Sequence, residues 1–206
     1  MKKLTSYILG VFLILVTTCF FACNKKTGVE NEYYTKGLAY IISDDGLSYS
    51  VIGRGIATDR EIVIPNIYNG LPVIAIEDYA FGNSVFEDKS KYIKSIVIPD
   101  SIIQIGNSSF SYCVNLEKVI MSKKLINIGE NAFSFCLKLT NIIIPQSVIS
   151  IGEQAFYGCT ALEIIHFINP SGWKAGDVSI KKSDLLNKFT ASAFLSEIYI
   201  EKWTRS

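Results

Sequence analysis

Apolar and polar residues alternate in short stretches that return at a fixed interval along the middle of the chain. Three segments repeat one pattern in register, every 23 residues: 93–115, 116–138 and 139–161. Each opens with apolar residues at every second position, as at Ile96 and Ile98, and this period of two is typical of a β-strand. A repeat length of 23 residues indicates a solenoid, because each coil can bury its apolar face only against the coils beside it.

Other residue types follow the same interval and predict the rest of each coil. They are a glycine (Gly106, Gly129, Gly152), a phenylalanine (Phe110, Phe133, Phe156) and a cysteine (Cys113, Cys136, Cys159). We expect the strands to stack into a parallel sheet and to end where Pro99 and Pro145 follow them, since proline has no N–H for the ladder. The glycine then permits a tight bend, and a short turn or helical piece carries the phenylalanine and the cysteine into the core.

The repeated region covers residues 61–168 and has a predicted cap at each end. An imperfect coil begins at Glu61, and its extra residues at 68–72 and 84–92 are predicted to be loops on the rim. Residues 37–60 alternate around an Asp-Asp-Gly turn and predict an N-terminal hairpin. Residues 169–206 form the C-terminal cap, whose bulky side chains are Trp173, Leu185, Phe189, Phe194, Leu195, Tyr199 and Trp203. Without caps, the end coils would expose apolar faces and open strand edges.

The N-terminus has the pattern of an export signal. Lys2 and Lys3 precede an apolar run over residues 7–21, which is typical of a secretory signal peptide and short for a membrane span. The run ends in Phe-Phe-Ala-Cys, which resembles the lipobox of bacterial lipoproteins and implies removal of residues 1–22 and lipidation of Cys23. Residues 23–36 are then a tether. The alternative is a plain N-terminal membrane anchor, and both interpretations place the remaining chain outside the cytoplasm.

The repeated text also resembles a known family. The pattern I-x-I-P, followed by V-x-x-I-G-x-x-A-F-x-x-C-x-x-L, is similar to the BspA-like, or Treponema-type, leucine-rich repeat over residues 61–168. The resemblance implies a β-rich leucine-rich repeat solenoid with stacked parallel strands. It also implies protein binding, because BspA-like proteins include adhesins for extracellular-matrix proteins and clotting factors.

Composition and charge disfavour other classes of protein. Twenty Lys and Arg against nineteen Asp and Glu give a net charge of +1, which offers no field to attract nucleic acid. Without residues 1–22, which hold two lysines and no acids, the balance is 18 − 19 = −1. The sequence has a single histidine, which disfavours acid–base catalysis by paired histidines and a metal site with several histidine ligands. We therefore expect no nucleic-acid partner and no cofactor.

The few residues that could carry chemistry have simpler interpretations. The cysteine column would stack at about 5 Å, which allows one disulfide or a soft-metal site, but core packing is favoured because three thiols cannot all pair. His166 lies on an outward strand position with no nucleophile and carboxylate to make a triad. Glu117 and Glu163 would lie about 10 Å apart, beyond what paired glycosidase carboxylates need, and are predicted surface charge. We predict no enzyme and no metal site.

Outward strand positions give the candidate binding face. They form a row that we name the front stripe: Val63, Val97, Ile120, Ile143 and His166. A row of exposed aliphatic side chains is what a partner-binding face uses, although β-branched residues are also simply good strand formers. A second line precedes the inward isoleucine of each bend, and the pattern leaves its exposure open: Ile74, Ile103, Ile126 and Ile149.

Together these features predict a non-enzymatic envelope lipoprotein whose solenoid binds a protein or glycan partner, such as a host extracellular protein, in adhesion. The lipid would hold it in the membrane, at the outer membrane or cell surface rather than the inner membrane. A structural or self-associating envelope lipoprotein without an external ligand is the alternative.

Replacement of Cys23 by alanine tests the lipid anchor. We expect unprocessed precursor or released soluble protein, because the acylated thiol is lost. Membrane fractionation and intact mass of the wild type and C23A measure this. Unchanged fractionation together with unchanged mass would reject lipidation.

Overall fold

The computed structural model of this chain describes residues 34–82, 92–198 and 201–205. The predicted signal peptide, the lipidation site at Cys23, most of the tether and nearly all of the predicted rim loop at 84–92 lie outside these residues. Within the described residues, no helix has both the length and the apolar character needed to cross a membrane.

Each repeat contributes a short strand to the front of the solenoid, where the alternating pattern predicts it. The front strands are β3 (Glu61–Val63), β6 (Ser95–Val97), β8 (Lys118–Ile120), β10 (Asn141–Ile144) and β12 (Ile164–Phe167). β3, β6 and β8 form one parallel ladder, and β10 and β12 form another. The inward side chains of Ile96 and Ile142 are buried. The predicted β-rich solenoid of 23-residue coils is confirmed.

A second set of strands lies just before the bend of each coil, and the sequence pattern did not predict it. These strands pair in parallel: β5 (Leu71–Ile76), β7 (Gln104–Ile105), β9 (Asn127–Ile128) and β11 (Ser150–Ile151). Three of the four are two residues long, too short for alternation to be recognised. Their inward isoleucines, such as Ile105 and Ile128, are buried. The core therefore lies between the front strands and this back sheet.

Main-chain hydrogen bonds also join the turns of successive coils. Three N–H groups of one turn donate to three carbonyl groups of the next: Ser108 to Glu130, Phe110 to Ala132, and Tyr112 to Ser134. Ser108 and Tyr112 adopt left-handed φ angles of 51° and 60°, a region that few residues other than glycine and asparagine occupy. Bonds to the neighbouring coil, rather than local preference, therefore hold the turn conformation.

The recurring glycine is required by close stacking. None of Gly106, Gly129 and Gly152 is among the residues with a positive φ. A Cβ on Gly129 would lie 2.5 Å from the carbonyl carbon of Gly106 in the preceding coil, closer than any side chain allows. The bend after each glycine is present, but its predicted reason was wrong. The backbones of neighbouring coils approach too closely for a Cβ.

A column of aromatic rings runs through the core along the solenoid axis. Phe81, Phe110, Phe133 and Phe156 stack with centroid separations of 5.2, 5.0 and 5.4 Å and interplanar angles of 5–6°. Phe110 and Phe133 have no solvent exposure. Each ring is therefore packed by the coils on both sides, which couples neighbouring repeats.

The three cysteines form a second core column of free thiols. Each Sγ donates a hydrogen bond to a main-chain carbonyl of the preceding coil: Cys113 to Phe81 at 3.2 Å, Cys136 to Phe110 at 3.3 Å, and Cys159 to Phe133 at 3.0 Å. Burial raises the pKa of Cys113 to about 12 and holds the pKa of Cys136 well above its usual value. Core packing, the favoured interpretation of this column, is what the structure contains.

The N-terminal cap is a hairpin that extends the back sheet. β1 (Ala39–Ile42) and β2 (Tyr49–Gly53) pair antiparallel, and β2 continues in parallel onto β5. The extra residues at 68–72 are not a plain loop as predicted, because β4 (Ile67–Tyr68) pairs antiparallel with the start of β5. Asn69 and Gly70 turn this hairpin with φ of 49° and 82°, since both central residues of such a turn need positive φ.

The C-terminal cap closes the other end of both layers. It contains β13 (Trp173–Ala175), β14 (Val178–Ser179), α1 (Lys182–Leu186), α2 (Lys188–Ala193), a π-helical turn (Phe194–Ile198) and β15 (Trp203–Arg205). β15 pairs antiparallel with β11 and with β13. The rings of Trp173 and Trp203 lie 5.3 and 6.1 Å from that of Phe167 in the last coil.

Most of the predicted cap residues cover the last coil, with one exception. Trp173, Leu185, Leu195 and Trp203 are buried, and Phe194 is half-buried. Phe189 is 69% exposed, so its predicted covering role was wrong. Helix α2 packs its buried face, which includes Ala191, on the coil and turns Phe189 outward. Tyr199 lies outside the described residues.

Truncation of Phe133 tests the ring column. Phe133→Ala removes a fully buried ring between two others, so we expect a loss of about 3–5 kcal/mol in the free energy of unfolding. Urea denaturation followed by circular dichroism measures this. Phe189→Ala, at an exposed site, is the control and should cost less than about 0.5 kcal/mol. A loss below about 1 kcal/mol for Phe133→Ala would contradict the shared packing.

The buried thiols predict protection and a pH dependence of stability. Because burial raises the folded-state pKa of Cys113 and Cys136, these two thiols contribute full stability below their unfolded pKa of about 9, and the stability falls as pH rises from 9 towards 12. We expect Cys113, Cys136 and Cys159 to resist a thiol reagent at pH 8 until urea unfolds the chain. Mass-spectrometric mapping of the label and melting temperatures between pH 7 and 11 measure these effects. Rapid labelling of the native thiols would show that the core is open.

Candidate functional site

The structure brings the predicted front stripe together in two groups. Val63, Val97 and Ile120 are register partners across β3, β6 and β8, and Ile143 pairs with His166 across β10 and β12. Val63 and Val97 are half-buried, while Ile120 and Ile143 are 45% and 54% exposed. The stripe is therefore exposed from Ile120 to His166 and half-buried at Val63 and Val97.

The front ladder is interrupted at the centre of the stripe. β8 and β10 are successive strands of the front but belong to different sheets. Elsewhere the N–H of Ile98 donates to the carbonyl of Ile120 at 2.9 Å, yet within the described residues no such bond runs from Met121 to Ile143. On the back, β9 and β11 remain paired. Among the described residues, main-chain pairing between the third and fourth coils is therefore lost at the front and kept at the back.

The interruption coincides with a departure from the repeat sequence. The third coil has Met121-Ser122 where its neighbours have an isoleucine followed by Pro99 or Pro145, and Val119 where they have isoleucine. Val119 and Met121 are half-buried, whereas their counterparts in the neighbouring coils are at most 2% exposed. Smaller or more flexible side chains fill this part of the core less completely. Sequence reasoning missed this site, although the substitutions at 121 and 122 were its signal.

A groove of about 510 Å³ opens on the surface between β8 and β10. Its apolar walls include Val119, Ile120, Met121, Ile143 and Ile168. The charged residues that line it are Lys118 and Lys123, and its lining contains no carboxylate. This is an apolar site with a positive rim.

The carboxylates beside the stripe are surface groups, as the sequence predicts. Glu117 and Glu163 are both exposed. Glu117 lies 4.0 Å from the ammonium of Lys94, with both side chains about half exposed. Such an exposed ion pair contributes little to stability.

His166 lies on the exposed surface of β12. Within the described residues no carboxylate or hydroxyl hydrogen-bonds to its ring, and Cys159 is buried in the core and bonded to Phe133. The described part of the chain contains no group of three or more His, Cys, Asp or Glu side chains placed to hold a metal ion.

Two other rows of apolar or aromatic side chains are partly exposed. In the second isoleucine line, Ile103 and Ile149 are 40% and 46% exposed, while Ile74 and Ile126 are half-buried, so this line faces solvent in part. On the turns, the rings of Tyr112, Phe135 and Tyr157 pack on one another with centroids 4.7 and 5.5 Å apart. Tyr112 stacks on the face of Phe135, and Tyr157 meets Phe135 edge-on.

Comparison with known proteins identifies the repeat. The BspA type leucine rich repeat region matches residues 75–202 in six copies. The structure is similar to that of a leucine-rich repeat protein of T. pallidum, with 26% identity and a TM-score of 0.56, over 62% of this chain and 56% of that chain. The chain thus spans just over half the length of this relative. No curated protein matches it.

Two further structures resemble this chain. A leucine-rich repeat protein of Bacteroides capillosus is 28% identical with a TM-score of 0.56, over 65% of this chain and 95% of that chain. A leucine rich cell surface protein of Faecalibacterium prausnitzii is 25% identical with a TM-score of 0.53, over 65% of this chain and 38% of that chain. Repeat solenoids of this bacterial type suggest a scaffold for protein interaction. Since the repeat match covers more than half of the sequence, the chain belongs to the BspA-type leucine-rich repeat family.

Proposed function

We propose that this protein is a non-enzymatic binding module of the bacterial cell envelope that contacts a protein partner through the front stripe. The observation that carries the proposal is the exposed centre of the stripe, Ile120 and Ile143, on either side of an apolar groove. Burial of apolar surface contributes about 25 cal/mol per Å², so covering this region can drive association. Contiguous exposed apolar surface is unusual on a monomer unless it binds something.

The stacked coils support this role. Hydrogen bonds on the back and at the turns hold all successive coils in register, including the third and fourth, whose front strands do not pair, so the stripe is carried on an ordered scaffold. A rigid face loses little conformational entropy when a partner binds. Repeat solenoids use such extended faces for binding.

The cellular setting belongs to the same proposal. The F. prausnitzii relative is described as a cell surface protein, and a lipidated Cys23 would place this chain in the envelope, at the outer membrane or cell surface. A partner there would be a protein or glycan, such as a host extracellular protein, and the activity would be adhesion. The apolar lining favours a protein, because the groove lacks aromatic rings on which a sugar could stack.

Charge substitutions in the stripe test the proposal. Ile120→Lys and Ile143→Lys each place a charge that a partner would have to desolvate, so we expect binding to weaken at least tenfold, about 1.4 kcal/mol. Both side chains point away from the core, and the melting temperature should not shift. Affinity capture from envelope and host-matrix extracts, followed by titration of the captured protein, measures the effect.

The matched control is Ile149→Lys on the back sheet, where an isoleucine is exposed to a similar degree. It should bind as the wild type does. Equal binding by all three variants would remove the front stripe from the function. A lowered melting temperature for the stripe variants would show that these side chains support the fold.

A further inference from the structure

We propose that strand β1, at the N-terminal end of the solenoid, pairs antiparallel with β1 of a second copy of this chain across a two-fold axis. The proposal concerns the N-terminal cap and does not rest on the front-face function above. Its basis is threefold: the open main-chain groups of β1, the side chains that two identical strands would bring together, and the charges at the two ends of the strand.

β1 is the open edge of the back sheet. It pairs with β2 and, among the residues that the structure describes, with no other strand. The front layer differs, because Thr35 covers the edge of β3: its N–H donates to the carbonyl of Val63 at 2.8 Å, and its hydroxyl accepts from the N–H of Val63 at 2.9 Å. Edge strands commonly carry lysine or proline, which oppose pairing with another chain. β1 contains neither residue.

The alternation of an antiparallel ladder identifies the outward main-chain groups of β1. The N–H of Ser43 donates to the carbonyl of Ser48 at 2.9 Å, so the groups of Ser43 face β2. Those of Ile41 face β2 as well, and the N–H and C=O groups of Tyr40 and Ile42 therefore face outward. Outside the β1–β2 ladder, no main-chain bond joins these groups to another described residue. They are placed to pair with a further strand.

A two-fold axis restricts how two β1 strands can pair. An axis that sets identical strands antiparallel in one sheet is normal to that sheet, so odd-numbered residues lie opposite odd-numbered ones and even opposite even. With the axis at Ile41, that residue lies opposite its own copy. Tyr40 of each chain then lies opposite Ile42 of the other. Because both residues present outward groups, each of these pairs is hydrogen-bonded in both directions.

The same register covers the exposed apolar side chains of β1. Ile41 and Ile42 are 52% and 48% exposed. The two Ile41 side chains would pack on each other, and Ile42 would pack beside Tyr40 of the other copy. Tyr40 is already held in place, because its ring stacks on that of Tyr68 with centroids 3.9 Å apart. Cross-strand pairs of an aromatic and a β-branched side chain stabilise a sheet.

The charges at the ends of β1 favour the antiparallel arrangement. The chain enters the strand after Lys36 and leaves it into a turn that carries Asp44 and Asp45, and all three are exposed. Bonds from the Ser43 hydroxyl and the Leu47 N–H lower the pKa of Asp45, whose carboxylate is therefore charged at neutral pH. Antiparallel pairing brings the lysine of each copy to the acidic turn of the other. Parallel pairing would instead place like charges together.

Such a dimer would leave both front stripes free. Since the two-fold axis is normal to the back sheet, the front strands of the two copies lie on the same side of the joined sheet. Two stripes that face one way can bind a repeated or multivalent partner together, which raises the overall affinity without a new contact.

A cysteine at the axis tests the pairing directly. Opposite residues of a non-hydrogen-bonded antiparallel pair have Cα atoms about 4.5 Å apart, within the range of about 4.4–6.8 Å that a disulfide spans. In cells that produce the full-length chain, Ile41→Cys should therefore form a covalent dimer on mild oxidation. Non-reducing electrophoresis measures it. Ile52→Cys, on β2 and 44% exposed, is the matched control and should remain monomeric, as should the wild type.

Charge reversal tests the contact between copies. Lys36→Glu and Asp44→Lys should each weaken dimerisation at least about fivefold, because like charges then meet at both ends of the strand pair. An equal mixture of the two variants should restore it, because each acid again lies beside a lysine. Ile42→Lys should weaken dimerisation at least about tenfold, and Ile52→Lys should not change it. Sedimentation of the purified full-length chain measures these effects, and circular dichroism melts establish that each variant is folded.

The outcomes separate this inference from the proposed function. It is overturned if Ile41→Cys forms no more disulfide dimer than the wild type or Ile52→Cys, if the chain is a monomer up to about 100 µM, or if the mixed charge variants fail to associate. It is also overturned by a dimer that Ile143→Lys dissociates and Ile42→Lys does not, because the second copy then lies on the front stripe. Partner capture is measured with the stripe variants, so the front-face function stands or fails without the dimer.

Discussion

Main-chain hydrogen bonding between successive coils is the interaction on which this structure depends. Back strands donate to the preceding coil, turns donate to the next coil, and most front strands pair with their neighbours, so the backbones stay about a strand spacing apart wherever these bonds form. That spacing leaves no room for a Cβ at Gly129 and brings the ring of Phe133 to 5.0 Å from that of Phe110.

Where this bonding is incomplete, a groove opens on the surface, and a partner could bind in it. The back pairing of β9 with β11 persists, but the front strands β8 and β10 do not pair. The change at Met121 and Ser122 loosens one side of one coil, while the phenylalanine column holds the rest. A groove with apolar walls and a lysine rim results, beside the exposed side chains of Ile120 and Ile143. The fold and the candidate site therefore have one physical origin.

At both ends of the solenoid, the unpaired strand edge of the last coil is covered by a further strand. At one end a hairpin continues the back sheet, and at the other β15 turns back to pair antiparallel with β11. The tryptophans of the C-terminal cap pack on Phe167 and cover the last apolar face. Sequence composition predicted that bulky residues would do this, but not that Phe189 would face solvent, because helix orientation depends on how α2 packs on the coil.

The sequence by itself determined the coil length, the front strands, the buried Phe and Cys columns and the outward direction of the front stripe. These follow from periodicity, which reports which residues share an environment. Only the tertiary structure decided the two-residue back strands, the reason for Gly129 and the break between β8 and β10. Each of these depends on the distance between backbones in different coils. The pattern of side chains along the sequence does not report that distance. Whether Met121 completes a ladder or opens a groove is a property of the stacked coils, because a single coil forms neither.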